Sequence, residues 1–66
     1  MIIRLNGESL ELAEGSTISD LIAAQDLLGR RIAIECNGEI VPRSQHASHV
    51  LSANDALEIV HAIGGG

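Results

Sequence analysis

The sequence predicts a two-layer α+β domain: one helix packed on one face of a mixed sheet of four to five strands. Three observations lead there. Two Asn-Gly pairs, Asn6-Gly7 and Asn37-Gly38, each sit between short runs of alternating apolar and polar residues, the pattern of tight hairpins. One stretch, near 17–27, repeats apolar residues at helical spacing. With 66 residues the chain has room for one core, and a single amphipathic helix buries its stripe most economically against one sheet.

The elements follow in order. Met1, Ile3 and Leu5 share one parity, as do Leu10 and Leu12, with Arg4, Asn6, Ser9 and Glu11 on the other. Period two predicts antiparallel strands at roughly 1–6 and 8–13, and Glu14-Gly15 closes the unit. Ser16 or Thr17 can cap a helix, and Asp20 in its first turn suits the positive end of the macrodipole. Ile18, Leu21, Ile22 and Leu28 form the stripe; Gly29 is the expected stop, with Arg30 and Arg31 at the negative end. Ile32, Ile34 and Cys36 alternate as a third strand. Glu39-Ile40-Val41 makes a short fourth, ended by Pro42. Residues 43–54 read as polar and irregular, anchored only by Val50-Leu51, and Asn54-Asp55 as a turn. Leu57, Ile59, His61 and Ile63 alternate with Glu58, Val60 and Ala62 in a fifth strand, and Gly64-Gly65-Gly66 ends the chain. Residues 1–63 form the body and 64–66 a flexible tail. With the first and last strands central and parallel, the arrangement is the β-grasp, or ubiquitin-like, topology.

Composition limits the function. The apolar share is 45% and there are no aromatics, so the core is built from Ile, Leu, Val and Ala. Nine acids against four bases, all arginine, leave a net charge of −5. Such a chain offers phosphodiester backbones no basic patch and bases no ring to stack on, so nucleic acid is not an expected partner. The absence of lysine removes P-loop and Schiff-base chemistry. No apolar run spans a membrane, and the N-terminus lacks the long apolar region of a secretory leader. A single cysteine cannot close an internal disulfide, which places the chain in the reducing cytoplasm. On its own it is expected to be a monomer.

Few residues offer chemistry. His46, His49 and His61 lack the second cysteine or nearby acid that would complete a metal set, and read as solvated loop histidines; no metal site is expected. Cys36 shares the parity of Ile32 and Ile34 and should face the core rather than react. Ser44, His46 and Asp55 could be assembled into a triad, but nothing marks a nucleophile elbow, so no catalytic residue is assigned. Val60 and Ala62 fall on the exposed sheet face beside the tail, where they could dock a partner, and the acids could complement a basic partner surface. The tail carries the strongest signal. Three glycines after a strand are thin enough to thread a channel that any Cβ would block, and they end in a carboxylate. In an arbitrary protein that is a fraying terminus. After this body it reads as a carrier whose reactive atom is its own C-terminus, with Gly64 and Gly65 threading a partner site and Gly66 modified.

These residues resemble the ThiS family of bacterial sulfur carriers of thiamine biosynthesis. The likeness runs over all 66 residues and rests on Ile3-Arg4-Leu5-Asn6-Gly7, on Glu39-Ile40-Val41-Pro42-Arg43 and on Ala62-Ile63-Gly64-Gly65-Gly66. The third glycine is a departure, since many relatives end in Gly-Gly. The resemblance implies a carrier that binds no cofactor and is no enzyme. An E1-like adenylyltransferase would use ATP and Mg to adenylate the Gly66 carboxylate. Sulfur from a donor such as a cysteine desulfurase would replace AMP, leaving a thiocarboxylate. Thiazole synthase would take the sulfur. With no lysine, an activated terminus would meet no side-chain amine on its own body. Alternatives of the same fold are a small subunit of molybdopterin synthase, a ubiquitin-like modifier, and a β-grasp binding module without chemistry.

Overall fold

A computed structural model describes residues 1–61. Five strands and one α-helix follow in the expected order: β1 Ile2–Leu5, β2 Glu8–Glu11, α1 Ile18–Ala24, β3 Ile32–Cys36, β4 Glu39–Val41 and β5 Ala56–His61, with a short 3-10 helix at Arg43–Gln45. The sheet order is β2-β1-β5-β3-β4. β1 and β5 are parallel neighbours, in register at Arg4↔Ala56 and Leu5↔Leu57, and the other pairs are antiparallel. The chain's last described strand is therefore the middle strand of the sheet, as the β-grasp expectation requires.

Both hairpins turn on Asn-Gly. Asn6 and Gly7 have φ of 50° and 84°, and Asn37 and Gly38 have 53° and 86°. Two consecutive left-handed residues define a type I′ turn, whose twist matches that of the flanking strands. The asparagines do a second job. The Oδ1 of Asn6 accepts from the Ile59 backbone N–H at 2.9 Å, and the Oδ1 of Asn37 accepts from the Ala56 N–H at 3.0 Å. Each turn thus ties its own hairpin to the central strand. At Asn6 the side chain adds a rung to the parallel ladder just past its last backbone bond, Asn6 N–H to Leu57 C=O at 2.9 Å.

One face of the sheet meets the helix. Ile3, Ile34, Leu57 and Ile59 from the strands pack with Ile18, Leu21 and Ile22 of α1, joined by Val41, Leu51 and Cys36. The sequence periodicity of two in the strands selects this set, and the opposite parity stays outside. Burying an aliphatic side chain of this size is worth about 1.5–3 kcal/mol, so a hydrophobic core without Phe, Tyr or Trp holds the domain with some ten residues.

The helix N-terminus is fully accounted for. Thr17 and Asp20 form a capping box: the Asp20 N–H donates to Thr17 Oγ1 at 3.2 Å and the Thr17 N–H to Asp20 Oδ2 at 2.9 Å. The Ile18 and Ser19 N–H groups donate to the carbonyls of His49 and His46, at 3.1 and 3.0 Å. Segment 43–54, read from sequence as irregular, is therefore the lid on the helix start. Within it the expected anchors divide: Leu51 is buried, whereas Val50 is 57% exposed. His46, expected in solvent, is buried instead. Its Nε2 donates to the Val41 carbonyl at 3.0 Å, and a bond of that kind makes burial of an imidazole affordable.

The helix is shorter than the expected 17–27. It ends at Ala24, with Gln25 as the C-cap. Asp26 takes φ of 59° and donates its N–H to Ala23 C=O, and the Leu27 N–H reaches Ile22 C=O, both at 3.0 Å. This is a Schellman closure with aspartate in the position that usually takes glycine. Gly29 is left-handed too, but lies in the following loop, and no basic residue occupies the last helical turn. The helix stripe uses Leu27, half-buried against the core, in place of Leu28, which is 67% exposed.

Candidate functional site: the end of the central strand

Ala62, Gly64, Gly65 and Gly66 lie outside the described residues. What the structure gives is the platform from which they leave. β5 is held along both sides: by β1 and the Asn6 side chain on one, and on the other by β3 in a register running from Cys36↔Leu57 to Ile32↔His61. The β1 edge holds the strand as far as the Ile59 amide and the β3 edge as far as His61, and the sheet thereby sets the point from which residues 62–66 leave.

The sheet face away from the helix carries Ile2, Ile40 and Val60, exposed by 46%, 63% and 53%. Val60 thus lies on the exposed face, as expected, opposite Ala33. On the same face Glu35 and Glu58 stand directly opposite each other across β3 and β5. Like charges in that position repel. The pair sits between aliphatic side chains on a face that also carries Arg4 of β1.

Of the other candidate side chains, Cys36, Asp55 and His46 are occupied elsewhere. Cys36 is 7% exposed and its thiol pKa is raised, first by burial and then by the negative charge of Asp55. A thiol held protonated is a poor nucleophile. Asp55 accepts from the Ser52 N–H at 2.8 Å and from Asn37 Nδ2 at 3.1 Å, and the His46 Nε2 is taken by Val41. No hydrogen bond joins Ser44, His46 and Asp55 into a relay. Among the described residues no three His, Cys, Asp or Glu side chains converge in a way that could hold a metal ion. Nor, among them, is any helix long and apolar enough to cross a membrane. Sequence reading missed the two asparagine side chains that anchor β5. Their signal was present, since an Asn side chain places at the turn an acceptor oxygen that glycine lacks, but its target is 53 residues away in one case.

Comparison with known proteins bears on this end of the molecule. The model of the ThiS family matches residues 3–66. The sulfur carrier protein ThiS of Bacillus subtilis is 33% identical over 66 residues, covering 98% of this chain and all of that one. That of Escherichia coli is 32% identical over the full length of both. The thiazole synthase of Magnetococcus marinus is 36% identical over 66 residues, which is the whole of this chain but only 20% of the synthase. The chain thus spans a fifth of that relative's length and the full length of the two carriers. The crystal structure of the ThiS thiamine biosynthesis protein from Geobacter metallireducens superposes with a TM-score of 0.87 at 26% identity, covering all of both chains.

Proposed function

The chain belongs to the ThiS family, and from that premise we propose that it is the sulfur carrier of a thiamine pathway, with Gly66 as the atom-bearing end. A family match that runs to residue 66 carries this reading, because it includes the glycines and not only the body. The body itself supplies a strand clamped on both edges and, among its described residues, no activated nucleophile.

The chemistry belongs to partners. A carboxylate is a poor electrophile at neutral pH. Attack of the Gly66 carboxylate on the α-phosphorus of Mg-bound ATP forms an acyl–phosphate bond and expels pyrophosphate. The terminal sulfur of a cysteine-desulfurase persulfide attacks the acyl carbon, and AMP leaves. A second thiol then cleaves the resulting acyl disulfide, is itself oxidised into a disulfide, and leaves the thiocarboxylate. Thiazole synthase accepts the sulfur. Glycines at 64 and 65 let the carbonyl enter a narrow site, and the docked body makes each attack nearly unimolecular.

Two observations support the partners. In the Magnetococcus protein named thiazole synthase, a stretch similar to this whole chain is part of the same polypeptide. Joining two components raises their effective concentration, which profits proteins that must meet. On the exposed sheet face, Val60 with Glu35 and Glu58 suits a partner surface that is apolar and basic; Ala62 would extend it toward the tail. The reducing cytoplasm is the compartment in which free persulfides and thiocarboxylates last. Deleting residues 64–66 together, so that no diglycine end remains, tests the reading: a host lacking its own carrier should grow without thiamine on the parent chain and fail on the shortened one. Equal growth would leave only a binding module.

A further inference from the structure

Beside the helix, on the side away from the exposed sheet face, lies a cleft of about 120 Å³. Ser19 and Ile22 of α1, Leu27 and Arg30 of the loop after it, and Arg43 and His46 of the segment over the helix start line it. We propose that this cleft is a binding site for a phosphate-type oxyanion, either inorganic phosphate or the phosphate of a small monoester.

Charge makes the argument. The chain holds nine acids and four arginines, yet two of those arginines line this cleft and, among the described residues, no carboxylate does. Among the described residues neither Arg30 nor Arg43 has a carboxylate partner, whereas the Met1 amine pairs with Glu14 at 3.4 Å. Two arginines bordering one cleft suit a tetrahedral oxyanion, which guanidinium groups can hold with paired N–H bonds. The Ser19 hydroxyl adds a neutral donor. Ile22 and Leu27 supply apolar walls that lower the local dielectric and strengthen each charged bond. The carbonyls of Ile22 and Ala23, which would oppose an anion at the helix end, are already used by the Leu27 and Asp26 N–H groups. A volume of 120 Å³ exceeds the ~10–15 Å³ that one water requires and suits a five-atom ion rather than a nucleotide. The cleft lies off the exposed sheet face and uses none of the residues assigned to sulfur transfer, so it stands independently of the sulfur-carrier reading.

The test is an amide NMR titration of the full chain with sodium phosphate, against sodium chloride at matched ionic strength. Saturable shifts confined to Ser19, Gly29, Arg30, Arg43 and their neighbours are expected. Arg30→Gln and Arg43→Gln should each weaken binding about tenfold. Arg4→Gln removes the same charge from the far face of the sheet and should leave binding unchanged. Glycerol 3-phosphate separates the two sources: tighter binding than phosphate assigns the site to an ester, weaker binding to the free ion, and both support an oxyanion site. Shifts that fail to saturate, that spread over the molecule, or that fall as much in Arg4→Gln as in Arg43→Gln overturn it.

Discussion

Asn6 joins the first hairpin to the strand that bears the tail, and a three-member series separates its two roles. Asn6→Gly keeps the left-handed turn but removes the acceptor of the Ile59 N–H. Asn6→Asp keeps both an oxygen in that place and tolerance of positive φ. Asn6→Ala loses both. The Ile59 bond is 2.9 Å long and partly buried. Leaving such a donor unpaired costs about 1–3 kcal/mol, and glycine adds a few tenths through the freedom of the unfolded chain. A net loss of about 1–2 kcal/mol is expected for Asn6→Gly, against a total of roughly 3–10 kcal/mol for a chain of this length. Each kcal/mol moves Tm by about 4–8 °C in so small a domain, so the glycine variant should melt roughly 5–15 °C below the parent. Asn6→Asp should stay within about 0.5 kcal/mol, and Asn6→Ala should fall furthest because it adds left-handed strain of about 1–2 kcal/mol. Far-UV circular dichroism gives the melts, and hydrogen exchange at the Ile59 amide gives the local effect. If Asn6→Gly melts with the parent and that amide keeps its protection, the side-chain rung contributes nothing and the clamp on β5 is misassigned.

Asp26→Gly should raise stability by about 0.5–1 kcal/mol in a thermal melt, since it removes a left-handed aspartate and a negative charge from a helix C-terminus; a lower Tm would deny the Schellman closure. Glu58→Gln should relieve the repulsion from Glu35 and stabilise the domain by about 0.2–1 kcal/mol, yet weaken capture by thiazole synthase in a binding assay; tighter capture would show that the acidic pair plays no part in docking. Alkylation of Cys36 should be slow at neutral pH and rise at a pH above the usual thiol range. Because the folded thiol's pKa is raised, the stability it contributes is intact below the unfolded thiol's pKa and is lost as pH climbs toward the folded one. Rapid alkylation at pH 7 in the folded state would contradict the burial. Gly65→Val should block adenylation while the melt is unchanged; normal activation would remove the narrow-channel argument.

The parts of the fold that local chemistry dictates were legible. Asn-Gly between alternating runs fixed both hairpins, and Thr17 with Asp20 marked the helix start, because each signal lies within four residues of its effect. The helix end was misplaced because Asp26, not Gly29, adopts the terminating conformation, and an aspartate there carries no distinctive signal. The lid over the helix start was hidden for another reason. Its contacts are backbone carbonyls of His46 and His49, which any sequence supplies. Burial of His46 depends on one carbonyl, Val41, brought near only by the fold. At the functional end, the glycines and the strand before them were plain in the sequence, whereas the side-chain clamp from Asn6 spans nearly the whole chain and leaves no periodic trace.

The account rests on the last carboxyl group being the site of sulfur loading, and the intact mass of the protein tests this directly. After incubation with an E1-like adenylyltransferase, Mg-ATP, a cysteine desulfurase and a thiol, the mass should rise by one oxygen-to-sulfur exchange located at Gly66 by fragmentation, and a Cys36→Ala chain should load equally well. An unchanged mass, or sulfur found on Cys36 instead, would contradict it.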